Sequence, residues 1–132
     1  MADVIEVRLP LTPNYLPIVR ATVGVLSGIM SFNYDEIIQL RVAVTEAFNL
    51  ATKLANKGVT GPDEVTVRFI VGAEKIEILV TNRLGFTGKI DTESEMESCT
   101  TLESLMDEVQ FGDGAANEPM IRMTKSNTSG KN

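Results

Sequence analysis

Residues 64–81 read "EVTVRFIVGAEKIEILVT". Two runs alternate apolar and polar residues, and the three residues "GAE" lie between them. A period of two places successive side chains on opposite faces of a strand. So short a connection makes the two strands an antiparallel hairpin. Val65, Val67 and Phe69 then face Ile76, Ile78 and Val80 on one apolar side of a sheet. Such a side has to be covered by a second layer.

The rest of the chain supplies that layer. "VIEVRLP" alternates like the hairpin, with Ile5, Val7 and Leu9 on one face and Glu6 and Arg8 on the other. In "LTPNYL", Thr12 is a capping residue and Pro13 suits a first helical turn. Leu16, Val19, Val23, Leu26 and Met30 follow at helical spacing, which predicts one apolar stripe to about Ser31. Asn33 with Glu36 three residues later is a capping-box pattern. It opens a second helix whose core face is Ile37, Leu40, Val44, Phe48, Ala51 and Ala55. Gly58 is placed for a left-handed cap, and Gly61-Pro62 blocks continuation.

Beyond the hairpin, "LGFTGKIDTESEMESCT" is polar and acidic, which predicts a mobile loop with at most one frayed turn. "LESLMDEV" predicts a short amphipathic helix using Leu102, Leu105, Met106 and Val109. "QFGDGAAN" reads as a turn and "PMIRMTK" as a last strand. The expected order is β-α-α-β-β-loop-α-β-β. That is an α/β (α+β) two-layer sandwich, a mostly antiparallel sheet with helices on one face. A single domain is expected over residues 1–125 and a disordered tail over 126–132. The chain shows no internal repeat.

Composition narrows the chemistry. The 132 residues contain no histidine and one cysteine, Cys99. Ser-His-Asp catalysis, histidine phosphotransfer, imidazole metal sites and internal disulfides are excluded on that count. No metal site is expected. The net charge of −6 and the lack of a basic run argue against a nucleic-acid partner. No apolar run is long enough to span a bilayer. "MADVIEVRLP" carries acids where a signal peptide needs a basic region. The expectation is a cytoplasmic protein with no membrane contact. Cys99 lies among acids with Lys89 as the nearby cation, which argues against a lowered thiol pKa.

The second helix, "LRVAVTEAFNLATKLAN", holds a lone acid, Glu46, on an otherwise apolar face. With the preceding "LTPNYLPIVRATVGVLSGIMSFNYDEIIQLRVAVTEA" and the later "LESLMDEVQF" and "IRMTK", it resembles the anti-sigma-factor serine kinases of the RsbW and SpoIIAB type. These belong to the GHKL ATPase superfamily. The likeness covers about residues 4 to 125. It implies the Bergerat, histidine-kinase-like ATPase fold, usually as a homodimer. It also implies partners, a sigma factor and a STAS-domain antagonist, and MgATP-dependent phosphorylation of a serine on the antagonist. Arg20 matches an arginine that contacts both partners.

The same resemblance locates an ATP site and shows where this chain departs from it. The first box has the form E-x-x-x-N, a general base followed one turn later by the residue that carries Mg²⁺. Glu46 matches the base; the metal position falls on Leu50, which has no oxygen for a hard cation. Asn49 is one residue away, about 100° around the helix. In the D-x-G box, "TNRLGF" places Asn82 at the adenine-binding Asp and Leu84 at the Gly, with Gly85 next. The phosphate-cradling G-x-G, expected at a helix N-terminus, falls on Met96, Glu97 and Ser98. Met120 stands where a threonine helps to hold adenine. These changes imply an idle Glu46 and no bound cofactor. Three readings follow. One is an anti-sigma-like binding switch without ATP. The second is an active serine kinase using ATP and Mg²⁺. The third is a Bergerat-fold module serving dimerisation or another small ligand.

Overall fold

The computed structural model describes residues 2–55, 64–81, 90–112 and 119–127, with the backbone alone for Ala55, Pro119 and Met120. The strands are β1 (Asp3–Pro10), β2 (Glu64–Val71), β3 (Lys75–Thr81), β4 (Glu108–Phe111) and β5 (Pro119–Ser126). The helices are α1 (Leu16–Ile29), α2 (Tyr34–Ala55) and α3 (Glu93–Leu105). The strands form one antiparallel sheet in the order β1-β2-β3-β5-β4.

The hairpin register pairs Val67 with Val80, Phe69 with Ile78 and Val71 with Ile76, as the alternation requires. Gly72 makes the turn: its N–H donates to the Lys75 carbonyl at 2.9 Å, and a Cβ would stand 3.1 Å from that same oxygen. The inner face continues through Leu9, Ile121 and Met123, all buried with the helices' apolar stripes. The outer face carries Arg8 with Glu64, Arg68 with Glu6, and Arg122 with Glu77. Leu79 is buried on that outer face because register sets Arg68 and Arg122 on either side of it; long cationic side chains shield apolar surface with their methylenes.

Local signals account for most of the helical layer. Thr12 accepts from the Asn14 N–H and caps a 3-10 turn, Pro13–Tyr15, that leads into α1. The α1 C-terminus closes with reciprocal bonds, Ser31 N–H to Gly28 and Phe32 N–H to Ser27. That closure holds Ser31 at φ 62°, a left-handed position that usually takes glycine. The expected capping box is present at α2: Glu36 N–H donates to Asn33 Oδ1 at 2.8 Å and Asn33 N–H to Glu36 Oε1 at 2.9 Å. α2 buries more than its expected stripe, because Ala43, Ala47, Leu50 and Leu54 are also inside. The extra face exists because α2 packs against α1 on one side and α3 on the other.

The structure corrects the reading of residues 93–111. The segment expected to be a loop is α3 from Glu93, started by a capping box in which Thr92 accepts from Glu95 N–H and the Glu95 carboxylate accepts from Thr92 N–H. The helix expected to reach Val109 ends at Leu105, and Glu108–Phe111 is β4, paired to β5. The tail expected from residue 126 is corrected too. Ser126 pairs with Lys75, and the buried Asn127 donates its side-chain N–H to the Met30 carbonyl at the end of α1. Two residues earlier, Lys125 Nζ donates to the Leu105 carbonyl at the end of α3 at 2.8 Å. The last strand therefore satisfies helix-end carbonyls on both neighbours, which would otherwise lack partners. The expected roles of Gly58 and Gly61-Pro62, the rest of the 113–118 turn, and residues 128–132 lie outside the described residues. Among the described residues, no helix is long and apolar enough to cross a membrane.

Candidate functional site

α2 presents the residues singled out in its sequence to two different surroundings. Glu46 is half-buried at the α2–α3 contact, and its Oε1 accepts a hydrogen bond from Ser98 Oγ at 3.0 Å. Ser98 is buried and shares the same hydroxyl with the Ser94 carbonyl at 3.2 Å. Two turns further along α2, Lys53 Nζ donates to Ser94 Oγ at 2.8 Å. Two polar contacts thus join residues seven apart on α2 to residues four apart on α3. That is two turns of α2 and one turn of α3, so each pair shares one face of its helix.

Leu50 is one turn beyond Glu46 but is turned into the core, with 0% exposure. It belongs to the stripe of Ala43, Ala47 and Leu54, as 3.6 residues per turn dictates. Asn49, rotated about 100° from Leu50, is half-buried. Met96 and Glu97 are exposed and Ser98 is buried, all on the regular helix of α3 rather than in a glycine-type turn before it. The expectation that this segment precedes a helix N-terminus is therefore corrected by one helical turn or more. Thr92-x-x-Glu95 is a capping signal that was legible in the sequence and marks the true start. Asn82, Leu84 and Gly85 lie outside the described residues, as does the Met120 side chain.

Cys99 stands on α3 and is partly buried against the core. Burial pushes its thiol pKa up from the usual value, and the carboxylates of Glu103 and Glu95 add to the rise. Arg20 is exposed on α1, away from the Glu46–Ser98 contact, and lines a cavity of about 350 Å³ with Ile38, Arg41, Val42 and Thr45. Sequence reasoning did not single out Arg41. On α2 it reads as an ordinary exposed cation, and only the packing of α1 beside α2 brings it to Arg20.

A five-stranded antiparallel sheet backed by three helices in this order is an α+β two-layer sandwich. A crystal structure of the RsbU and RsbW domains of a Mycobacterium tuberculosis protein shares it, with a TM-score of 0.69 at 17% identity over 94% of this chain and 32% of that one. Part of the chain is also similar in sequence to proteins named serine-protein kinase RsbW. It is 40% identical over 84 residues to serine-protein kinase RsbW of Bacillus pumilus, a match covering 63% of this chain and 52% of that protein. To RsbW of Bacillus subtilis it is 37% identical over 81 residues, 61% of this chain and 50% of the relative. To RsbW of Listeria monocytogenes it is 32% identical over 82 residues, 62% and 52% respectively. The chain spans about half the length of the curated relatives it matches. No family model matches it.

Proposed function

We propose that the chain is an anti-sigma-type regulatory switch. In this reading it acts by binding a sigma factor, a STAS-domain antagonist or both, as a cytoplasmic homodimer, and it has lost the use of ATP. The single observation that carries the loss is the state of α2. The Glu46 carboxylate is bonded to a hydroxyl on α3, and Leu50, at the metal position, is sealed in the core. Mg²⁺ takes oxygen ligands in near-ideal octahedral geometry. A leucine with no exposed surface offers neither a ligand nor room for the ion's waters, so the residues present at this position do not fit the metal. Phosphoryl transfer relies on that charge neutralisation.

A second reading is favoured by the relatives, which are named serine-protein kinases at 32–40% identity. In it Glu46 is a working base, Asn49 serves the metal, and MgATP is the cofactor. One measurement separates the two. A ligand at 100 times its Kd stabilises a protein by about 2.7 kcal/mol, roughly 8–16 °C in a domain of this size. Differential scanning fluorimetry with millimolar MgATP is expected to show no shift on the switch reading. A shift of several degrees would overturn the loss of ATP binding, and labelling of a serine on a STAS partner would establish the kinase. Partner binding is tested by Arg20→Glu, which is expected to weaken association with a sigma factor or STAS protein by charge reversal while leaving the melting point unchanged. Equal affinity with the authentic partner would remove Arg20 from the interface.

A further inference from the structure

Five arginines lie among the described residues: Arg8, Arg20, Arg41, Arg68 and Arg122. Three are on the outer sheet face, and each has a glutamate partner. Among the described residues, Arg20 and Arg41 have no carboxylate within ion-pair distance. These two line the same cavity, between α1 and α2. A Cβ built at Gly24, one turn after Arg20, would stand 4.0 Å from Arg41 Cδ, so the Arg41 stem lies across the seam onto the strip of α1 that carries Arg20. Between them the surface is apolar, with Ile38 and Val42 exposed at 41% and 42%. In a chain of net charge −6, two uncompensated guanidinium groups flank an apolar cleft.

We propose that this cleft docks an acidic amphipathic helix of a partner protein. An apolar side chain would seat on Ile38 and Val42, with carboxylates about one turn to either side pairing with Arg20 and Arg41. Guanidinium groups are matched to planar anions and bind them bidentately. A free phosphate would leave the apolar floor uncovered, and a nucleic acid would meet the acidic surface of the rest of the chain. A helix that alternates apolar and acidic faces satisfies both features, the helix-in-groove mode of recognition. The proposal deepens the protein-binding reading of Arg20 and rests on it; Arg41, Ile38 and Val42 are its new content.

The test is a displayed library of helical peptides with randomised faces, panned on the full chain, with enriched peptides then measured by fluorescence anisotropy. The expected peptides carry Asp or Glu three or four residues from a Leu, Ile or Phe. Arg41→Glu is expected to weaken them about tenfold or more, since a like-charge contact replaces an attractive one. Ile38→Gln is expected to weaken them severalfold and Arg68→Glu, on the sheet's outer face, not at all. Each variant's melting point checks its fold. The proposal is overturned if no peptide is enriched, if the enriched peptides are neutral or basic, or if Arg41→Glu binds them as well as wild type does. Displacement of the peptides by inorganic phosphate or a short DNA duplex would also overturn it, by making the cleft an anion site. A sigma or STAS partner that binds wild type and Arg41→Glu equally sinks this proposal and leaves the broader reading standing. Acidic peptides that need Arg41, in a chain with no such partner, support the cleft and sink the family reading alone.

Discussion

Leu50→Asn restores the metal-binding residue type at the position where the chain departs from its resemblance, and its cost can be worked from the structure. Leu50 has 0% exposure, and fully burying a leucine contributes about 1.5–3 kcal/mol relative to leaving it exposed. Asparagine keeps the same four-atom branched side-chain shape but is smaller, so any cavity it leaves adds to the cost. Its amide also enters an apolar stripe made of Ala43, Ala47 and Leu54. A buried amide without partners costs about 1–3 kcal/mol. The expected loss is roughly 3–5 kcal/mol, a large share of the 5–15 kcal/mol typical of a whole domain. It corresponds to a fall in Tm on the order of 10–20 °C at this chain length. Urea titration with and without millimolar MgATP measures the total loss and any gain from bound nucleotide. The reasoning is refuted if Leu50→Asn costs less than about 1 kcal/mol, because that position would then face a wet groove rather than the core. It is refuted equally if the variant gains a MgATP-dependent rise in midpoint, because one residue would then have been all that ATP binding lacked.

Ser98→Ala removes the donor to Glu46. It should cost about 0.5–1.5 kcal/mol by urea titration without creating any MgATP-dependent shift; a shift on addition of MgATP would make Ser98 a gate over a working site. Ser31→Gly relieves a left-handed φ of 62° and should stabilise the chain by roughly 0.5–1 kcal/mol, read as a higher denaturation midpoint. A loss instead would mean that the Ser31 side chain contributes more than its backbone strain removes. Cys99 should resist iodoacetamide at neutral pH in the folded chain and react once unfolded, as its raised pKa keeps the thiol protonated. That shift has a definite sign for stability. The folded state holds the thiol proton more tightly, so the contribution is intact below the unfolded pKa and is lost as pH rises through the folded one. Cys99→Ser should remove this alkaline limb from a plot of stability against pH.

The hairpin, the Asn33–Glu36 capping box and the apolar stripes of α1 and α2 were legible because each is written in residues close together in the chain. Period two or 3.6 fixes which side chains share a face, and a cap is completed within four residues. α3 escaped that logic. Its buried positions Glu95, Ser98 and Leu102 include two polar residues, so its inward face carries almost no hydrophobic signal, although its Thr92–Glu95 cap was there to be read. β4 has four residues, too few for Val109 and Phe111 to declare a period of two, and Leu105 with Val109 imitates a helical step. The site was less legible still. The sequence placed Glu46, Leu50 and Arg20 as notable residues. Only the tertiary structure supplied Ser98 as the partner of Glu46, α3 as the neighbour that gives α2 a second buried face, and Arg41 as the companion of Arg20. Those pairings join residues tens of positions apart, and local periodicity can say which way a side chain points but not what it meets there.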